Sequence, residues 1–144
     1  MPRLGAHMSI AGGLSKSVDA AVEHQMQTVQ IFTSSPQIWV ASASSSGRGP
    51  KWGAKPLDEA QAAAFRDAVA AAGLQSPCAH SSYLINLAAG NDELRDRSIA
   101  SYTIELERAD DLRLAGVVIH PGSAVDLSEE AAIEQIAAAL DECV

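Results

Sequence analysis

Long apolar runs are missing from this sequence, and cysteine is scarce. Its apolar runs are only a few residues long, whereas a membrane-spanning helix needs about 20. The N-terminal residues also lack the basic and apolar regions of a secretory signal. The two cysteines, Cys78 and Cys143, are too few for a disulfide framework. We therefore expect a cytoplasmic protein with two free thiols and no membrane partner.

Acidic residues are absent from one long stretch, although the net charge of the chain is −8. That net charge alone disfavours a nucleic-acid partner. However, residues 25–57 contain no Asp or Glu but do contain Arg48, Lys51 and Lys55. If the loops gather on one face, that face is neutral to basic while the helical flanks are acidic. The net charge therefore does not exclude binding to DNA.

Strand-like and helix-like segments alternate along the chain. The β-forming stretches are predicted at residues 4–8, 28–32, 77–80 and 116–120. Helices are predicted at about 14–24, 58–72, 91–115 and 128–142, with Asp58, Asn91 and Ser128 at their N-termini and Gly73 as a stop signal. A long loop covers about residues 34–56, which is uncommon in a compact domain and is usually functional or mobile.

This alternation predicts an α/β fold with a parallel sheet and right-handed crossovers. Four βα units make half of an eight-fold barrel, and no G-x-G-x-x-G phosphate loop is present to favour a doubly wound sheet. We therefore predict the N-terminal (βα)4 half of a TIM-type (β/α)8 barrel. Residues 1–144 would form one incomplete domain.

Two histidines stand where predicted strands end and loops begin. His80 ends the third strand, and His120 ends the fourth. Equivalent ends of neighbouring parallel strands lie roughly 5 Å apart, so two imidazoles there can reach one metal ion or a close pair of ions. The alternative is that each histidine is a hydrogen-bonded structural residue. His7 also ends a predicted strand, and it either lines the site or orders the glycine-rich turn that follows.

Four motifs, in order along the chain, resemble those of endonuclease IV, the family of metal-dependent apurinic/apyrimidinic endonucleases. They lie at residues 5–14, 30–33, 80–87 and 120–123 and read GAHMSIAGGL, QIFT, HSSYLINL and HPGS. The family fold is a (β/α)8 barrel with three zinc ions at its C-terminal face. Its members are DNA repair hydrolases that cleave the phosphodiester 5′ to an abasic site in duplex DNA.

The resemblance implies roles for several residues. His80 and His120 match the first two zinc ligands of the family, and Tyr83 and Leu84 match part of the loop that enters the DNA at the lesion. Gln37 stands where the family typically has an arginine that helps fill the space left by the flipped nucleotide. Ser81 stands where the family usually has an aspartate. The departure at Gln37 bears on the side chain that would fill the space left by the flipped nucleotide.

The family's other zinc ligands come from its fifth to eighth strands, so no catalytic residue can be assigned within this chain. With an incomplete three-zinc site, we expect the 144-residue chain alone to be inactive, to bind zinc weakly and to self-associate through its open sheet. The full-length protein is expected to be a monomer.

Two other functions fit the sequence. A metal-dependent sugar isomerase can use the same barrel with similar ligands at its strand ends, but it would need a closed pocket. A noncatalytic half-barrel module, which pairs with itself or with a separate second half, is the other alternative.

Overall fold

The computed structural model of the chain describes residues 2–40 and 56–144. Four strands alternate with four helices in these residues, as the sequence predicts. In chain order they are β1 (Gly5–His7), α1 (Leu14–Glu23), β2 (Thr28–Phe32), α2 (Glu59–Ala72), β3 (Cys78–His80), α3 (Asp92–Asp111), β4 (Val117–Val118) and α4 (Glu129–Glu142). Arg48, Lys51, Lys55 and most of the predicted long loop lie outside the described residues.

The four strands form one parallel sheet in the order β1-β2-β3-β4. In the register, Gly5 is paired with Thr28, and Gln30 is paired with Cys78. Each strand therefore lies next to the one that follows it in the chain, and all four C-terminal ends lie at the same edge. The predicted α/β class and parallel sheet are confirmed.

The helix ends carry the capping residues that the sequence indicates. The side chains of Asp58, Asn91 and Ser128 accept hydrogen bonds from the first turns of α2, α3 and α4. Gly73 ends α2 in the left-handed conformation, with φ of 67°, which glycine adopts without steric cost. These boundaries were predictable because capping depends on residues adjacent in sequence.

The end of α3 and the start of β4 differ from the prediction. Helix α3 ends at Asp111 instead of near residue 115, because the amide of Leu114 donates to the Ala109 carbonyl at 2.8 Å and closes the helix. Strand β4 has two residues instead of five. Beyond it, the Pro121 carbonyl accepts a hydrogen bond from the amide of Leu87 at 2.8 Å. His120 therefore lies in the loop after β4 and not within the strand.

Only one face of the sheet is well buried in the described part of the chain. Val29 and Ile31 of β2 pack in a core with Leu14, Val18 and Phe65 from α1 and α2. The alternate residues of β2 are only half-buried and point to the opposite face. A second apolar cluster joins α3 and α4 to the loop after β3. Helices thus cover one face of the sheet, as on the outside of a barrel.

Both cysteines are free thiols, as predicted. Among the described residues, no helix is both long and apolar enough to cross a membrane.

Candidate functional site

Three imidazoles meet at the C-terminal edge of the sheet. The ring centroids of His80 and His120 are 5.2 Å apart, and those of His7 and His80 are 6.1 Å apart. His7 and His80 are the last residues of β1 and β3, and His120 follows β4 by two residues. The parallel sheet therefore brings together the histidines that the sequence singled out.

The hydrogen bonding of His80 fixes which ring nitrogen carries the proton. Its Nδ1 lies 2.8 Å from the carbonyl oxygen of Ser81. A carbonyl oxygen can only accept, so Nδ1 donates, and in the neutral ring Nε2 keeps its lone pair. Ser81 is buried, and its amide donates to the Val118 carbonyl at 2.9 Å, which anchors it against β4. The backbone of Ser81 thus orients His80 as a potential metal ligand.

The side chain of His7 hydrogen-bonds to the neighbouring strand β2, whereas the sequence suggested that it either lines the site or orders the glycine-rich turn. Its Nδ1 lies 3.0 Å from the side-chain oxygen of Gln30, and its ring also belongs to the histidine cluster. The amide nitrogen of Gln30 lies 3.8 Å from Cys78 Sγ in turn. A chain of side chains therefore crosses β1, β2 and β3 on the less buried face of the sheet and holds the His7 ring in place.

Phe32 and Tyr83 extend this cluster with aromatic rings. The Phe32 ring centroid lies 4.3 Å from that of His7 and 5.3 Å from that of Tyr83. The Tyr83 and His80 rings are 6.1 Å apart. Tyr83 is 67% exposed, which is unlike a residue that anchors a loop in the core, and Leu84 beside it is half-buried. An exposed aromatic ring thus stands directly beside the histidines.

The loops after β2 and β3 are joined by hydrogen bonds. Ser82 Oγ donates to the Pro36 carbonyl at 2.8 Å, and the amide of Tyr83 reaches the same oxygen at 3.3 Å. Gln37 follows Pro36 directly and is exposed. The two loops to which the resemblance assigns DNA contacts are therefore attached to each other.

The loops after β3 and β4 are joined through Asn86. Its side-chain oxygen accepts from the amides of Ala88 and Ser123, each at 3.1 Å. Gly122 has φ of 134°, and a Cβ atom there would collide with the Asn86 side chain. Glycine is therefore required at this position, and the loop that contains His120 is held against the loop that contains Tyr83.

Two buried charged residues of α3, Glu105 and Arg108, support these loops and were missed by the sequence reasoning. Both Glu105 oxygens accept from the amide of Ser82, at 3.0 and 3.2 Å, and Arg108 Nη2 donates to the Thr33 carbonyl at 2.7 Å. Burial raises the pKa of Glu105 to about 7, although the Ser82 hydrogen bond and the Arg108 charge act in the opposite direction. Burial also lowers the pKa of Arg108.

A signal for this pair was present in the sequence. The buried side of this helix follows the spacing of three and four residues and consists of Ser98, Ser101, Tyr102, Glu105, Arg108, Ala109 and Leu112. Charged residues that continue such a stripe indicate buried hydrogen bonding.

Trp39 and Arg97 pack together at the side of the site. The Arg97 guanidinium carbon lies 4.4 Å from the centroid of the half-buried Trp39 ring. This cation–π contact ties the loop after β2 to α3.

His80 and His120 are residues of a type that binds zinc, but two side chains do not complete a metal site. Two imidazoles on one tetrahedral zinc ion have ring centroids roughly 5 Å apart, given zinc–nitrogen bonds of about 2.0–2.1 Å, and His80 and His120 have such a separation. Within residues 2–40 and 56–144, no group of three or more His, Cys, Asp or Glu side chains is placed to hold a metal ion. Further ligands would have to come from elsewhere.

Comparisons with known proteins agree on the fold and on the family. Residues 18–144 match the family model described as "Xylose isomerase-like TIM barrel". The chain is 40% identical over 140 residues to "Probable endonuclease 4" of Chloroflexus aurantiacus, covering 97% of this chain and 45% of that protein. The crystal structure of endonuclease IV from Thermus thermophilus matches with a TM-score of 0.77 at 35% identity, covering 99% of this chain and 47% of that one. The resemblance seen in the sequence motifs is confirmed.

The chain spans about half the length of the curated relatives it matches. A xylose isomerase domain protein from Planctomyces limnophilus also matches with a TM-score of 0.64 at 18% identity, over 97% of this chain and 48% of that one. At that identity the likeness shows the fold alone. The matches agree with the prediction of half of a TIM-type barrel.

Proposed function

Since the chain belongs to the family of xylose isomerase-like TIM barrels, we propose that it supplies part of the site of an endonuclease IV-type enzyme. The proposed reaction is hydrolysis of the phosphodiester 5′ to an abasic site in duplex DNA. The observation that carries the proposal is the cluster of His80 and His120, 5.2 Å apart, beside the exposed ring of Tyr83. The similarity to proteins named endonuclease 4 supports it.

In this proposal, His80 and His120 hold zinc. A bound zinc ion would lower the pKa of a coordinated water and offset negative charge on the phosphate. Neutral imidazole suits such a site, because it binds zinc without adding negative charge that would repel DNA. The hydrogen bond from His80 Nδ1 to Ser81 orients the ring and leaves Nε2 for the metal. His7 lines the site and positions the rings of Phe32 and His80 through its packing.

Tyr83, Leu84 and Gln37 are the proposed DNA contacts. An exposed aromatic ring can stack on a base, an interaction worth about 1–3 kcal/mol per base. An abasic nucleotide leaves the helical stack at lower cost than a paired base, which provides one source of selectivity. The hydrogen bonds from Ser82 and Tyr83 to Pro36 hold Gln37 and Tyr83 in adjacent loops that could enter the duplex together.

A metal-dependent sugar isomerase is the second candidate, favoured by the description of the matching family model. The two functions differ in their ligands. The complete polypeptide that carries this chain should bind a duplex with a tetrahydrofuran abasic analogue more tightly than an intact duplex, and should not bind free aldoses. In the presence of zinc, it should cleave the strand 5′ to the analogue. Binding of the sugar without preference for the abasic duplex would reject the endonuclease proposal.

A further inference from the structure

Helix α3 carries two buried charged side chains that face the loops of the site. Glu105 is 2% exposed and Arg108 is 9% exposed. They are three residues apart and therefore lie on the same side of the helix. Neither residue is among the proposed zinc or DNA contacts. Their burial needs an explanation, because removing charged groups from water costs several kcal/mol per ion.

Each side chain bonds a backbone group in a different loop. Glu105 accepts a hydrogen bond from the amide of Ser82 in the loop after β3. Arg108 donates one to the carbonyl of Thr33 at the start of the loop after β2. Ser82 in turn donates through Oγ to Pro36 in the loop after β2. The helix and both loops thus form a closed circuit of directional hydrogen bonds. Apolar side chains could fill the same space, but they could not fix backbone groups in direction.

The residues positioned by this circuit are the ones proposed to meet DNA. Tyr83 follows Ser82 directly, and its ring packs against His80 at a centroid distance of 6.1 Å. Gln37 follows Pro36. A shift of either loop would change the separation of Gln37 and Tyr83, and would also remove the ring that packs against His80.

We propose that Glu105 and Arg108 are positioning residues that fix the spacing between the Gln37 loop and the Tyr83 loop and thereby set the preference for abasic over intact duplex DNA. This inference rests on the proposed function. Glu105 and Arg108 contact neither the DNA nor the metal, and they act through Ser82, Pro36 and Thr33. Their loss should therefore alter lesion selectivity more than general affinity for duplexes.

The test compares Glu105→Met with Glu107→Met in the complete polypeptide that carries this chain. Glu107 lies on the same helix but is exposed, so it controls for the loss of one carboxylate. Amide hydrogen exchange of residues 82–87 and of the α1–α2 core is measured, together with the affinity ratio for abasic-analogue and intact duplexes. For Glu105→Met, exchange at residues 82–87 should accelerate at least tenfold, core exchange should not change, and the affinity ratio should fall about tenfold. Glu107→Met should match the wild type in all three.

Two further variants keep the test decisive if Glu105→Met folds poorly. Ser82→Ala removes the link to Pro36 without leaving a buried charge, and it should reduce the affinity ratio in the same direction. Arg108→Lys keeps a donor for Thr33 and should retain more selectivity than Arg108→Met.

Three results would overturn the proposal. One is accelerated exchange throughout the α1–α2 core, which would mean general destabilisation. Another is accelerated exchange of residues 82–87 with an unchanged affinity ratio, and the third is unchanged exchange at those residues. A wild-type protein without any abasic preference would instead reject the proposed function, and that result is visible before any variant is made.

Discussion

At the scale of single residues, the clearest chemical asymmetry lies in His80. Its Nδ1 donates a hydrogen bond to the Ser81 carbonyl, so Nε2 is the ring nitrogen available to a metal. His120 faces it at 5.2 Å. The contribution of each ring to the proposed zinc binding can be separated from general effects of losing an imidazole, because the chain also contains His24, which caps the C-terminal end of α1.

The first prediction therefore concerns zinc. In the complete polypeptide that carries this chain, His80→Ala and His120→Ala should each reduce zinc affinity and abasic-site cleavage by at least about 100-fold. Loss even of a residue that supports a ligand typically costs about 10–100-fold. Zinc content is measured by atomic absorption after dialysis, and cleavage on a labelled duplex. His24→Ala should behave like the wild type. Wild-type zinc content and activity in both strand-end variants would rule out the assignment.

The second prediction concerns pH and Glu105. Burial raises its pKa from 4.5 to about 7, so between these values the folded state binds more protons than the unfolded state. The free energy of unfolding should therefore fall as pH rises through that window, by about 3 kcal/mol from this residue. Glu105 interacts electrostatically with Arg108 and Tyr102 of the same helix. The pKa of Tyr102 is itself raised, first by burial and then by the charges of Cys143 and Glu105.

Urea unfolding at intervals from about pH 4.5 to 8 measures this contribution. The wild type should lose stability relative to Glu105→Gln as the pH rises, because glutamine does not titrate. Glu107→Gln, on the same helix, should follow the wild-type curve. Parallel curves for the wild type and Glu105→Gln would show that the carboxyl group has an ordinary pKa.

At the scale of elements, the parts of the fold that depend on neighbouring residues were predictable. The caps Asp58, Asn91 and Ser128, the stop at Gly73, and the whole of β2 agree with the sequence pattern. The two-residue length of β4 was not predictable from the sequence. After β4, the chain hydrogen-bonds to the loop after β3, through the Leu87 amide and the Pro121 carbonyl, and no longer pairs with β3. An apolar run can indicate a strand but not where its pairing stops.

The same distinction applies to the candidate site. His80, His120 and Tyr83 could be singled out because strand ends and motifs are visible locally, and the structure shows that parallel pairing brings these side chains together. Glu105 and Arg108 were missed, because their partners Ser82 and Thr33 lie far away in sequence. In a list of acidic residues, a buried carboxylate cannot be distinguished from a solvated one without the burial pattern of its helix.

The third prediction belongs to the loop after β3. Replacing Tyr83 and Leu84 together with alanine should reduce the preference for abasic over intact duplex at least tenfold, because stacking contributes about 1–3 kcal/mol per base. Zinc content should not change, because the histidines remain. Fluorescence anisotropy with the two duplexes measures the ratio. Val22→Ala, which removes an exposed apolar residue from α1, is the control, and an unaltered ratio in the double variant would exclude this loop from lesion recognition.

At the scale of the whole molecule, the sheet is covered on one side only. In the described part of the chain, β1 and β4 each have a single neighbour, and the exposed apolar side chains Leu4 and Val118 lie beside or within these edge strands. Unpaired strand edges are templates for association with another chain. The half-open side of the sheet also leaves Gln30 and Phe32 partly accessible to water.

The fourth prediction is therefore that residues 1–144, purified alone, self-associate and show no abasic-site cleavage. Sedimentation velocity between about 5 and 100 μM should show a weight-average mass that rises with concentration, since association follows mass action. Val118→Lys, which puts a charge on an edge strand, should reduce this association. A monomer that unfolds cooperatively and cleaves abasic DNA would contradict the prediction. A copurified host enzyme would also cleave abasic DNA. Cleavage therefore counts against the prediction only if a His80→Ala sample prepared identically shows none.

The strand order β1-β2-β3-β4 also has a consequence for the timing of synthesis. Every pairing in the sheet joins consecutive strands, separated by one helix and its loops. Bringing two strands together across a few tens of intervening residues costs little conformational entropy. As the nascent polypeptide leaves the ribosome, each new strand finds its neighbour already released. His7, His80 and His120 would then enter the edge of the sheet in turn, so this layout favours assembly of the imidazole cluster during translation.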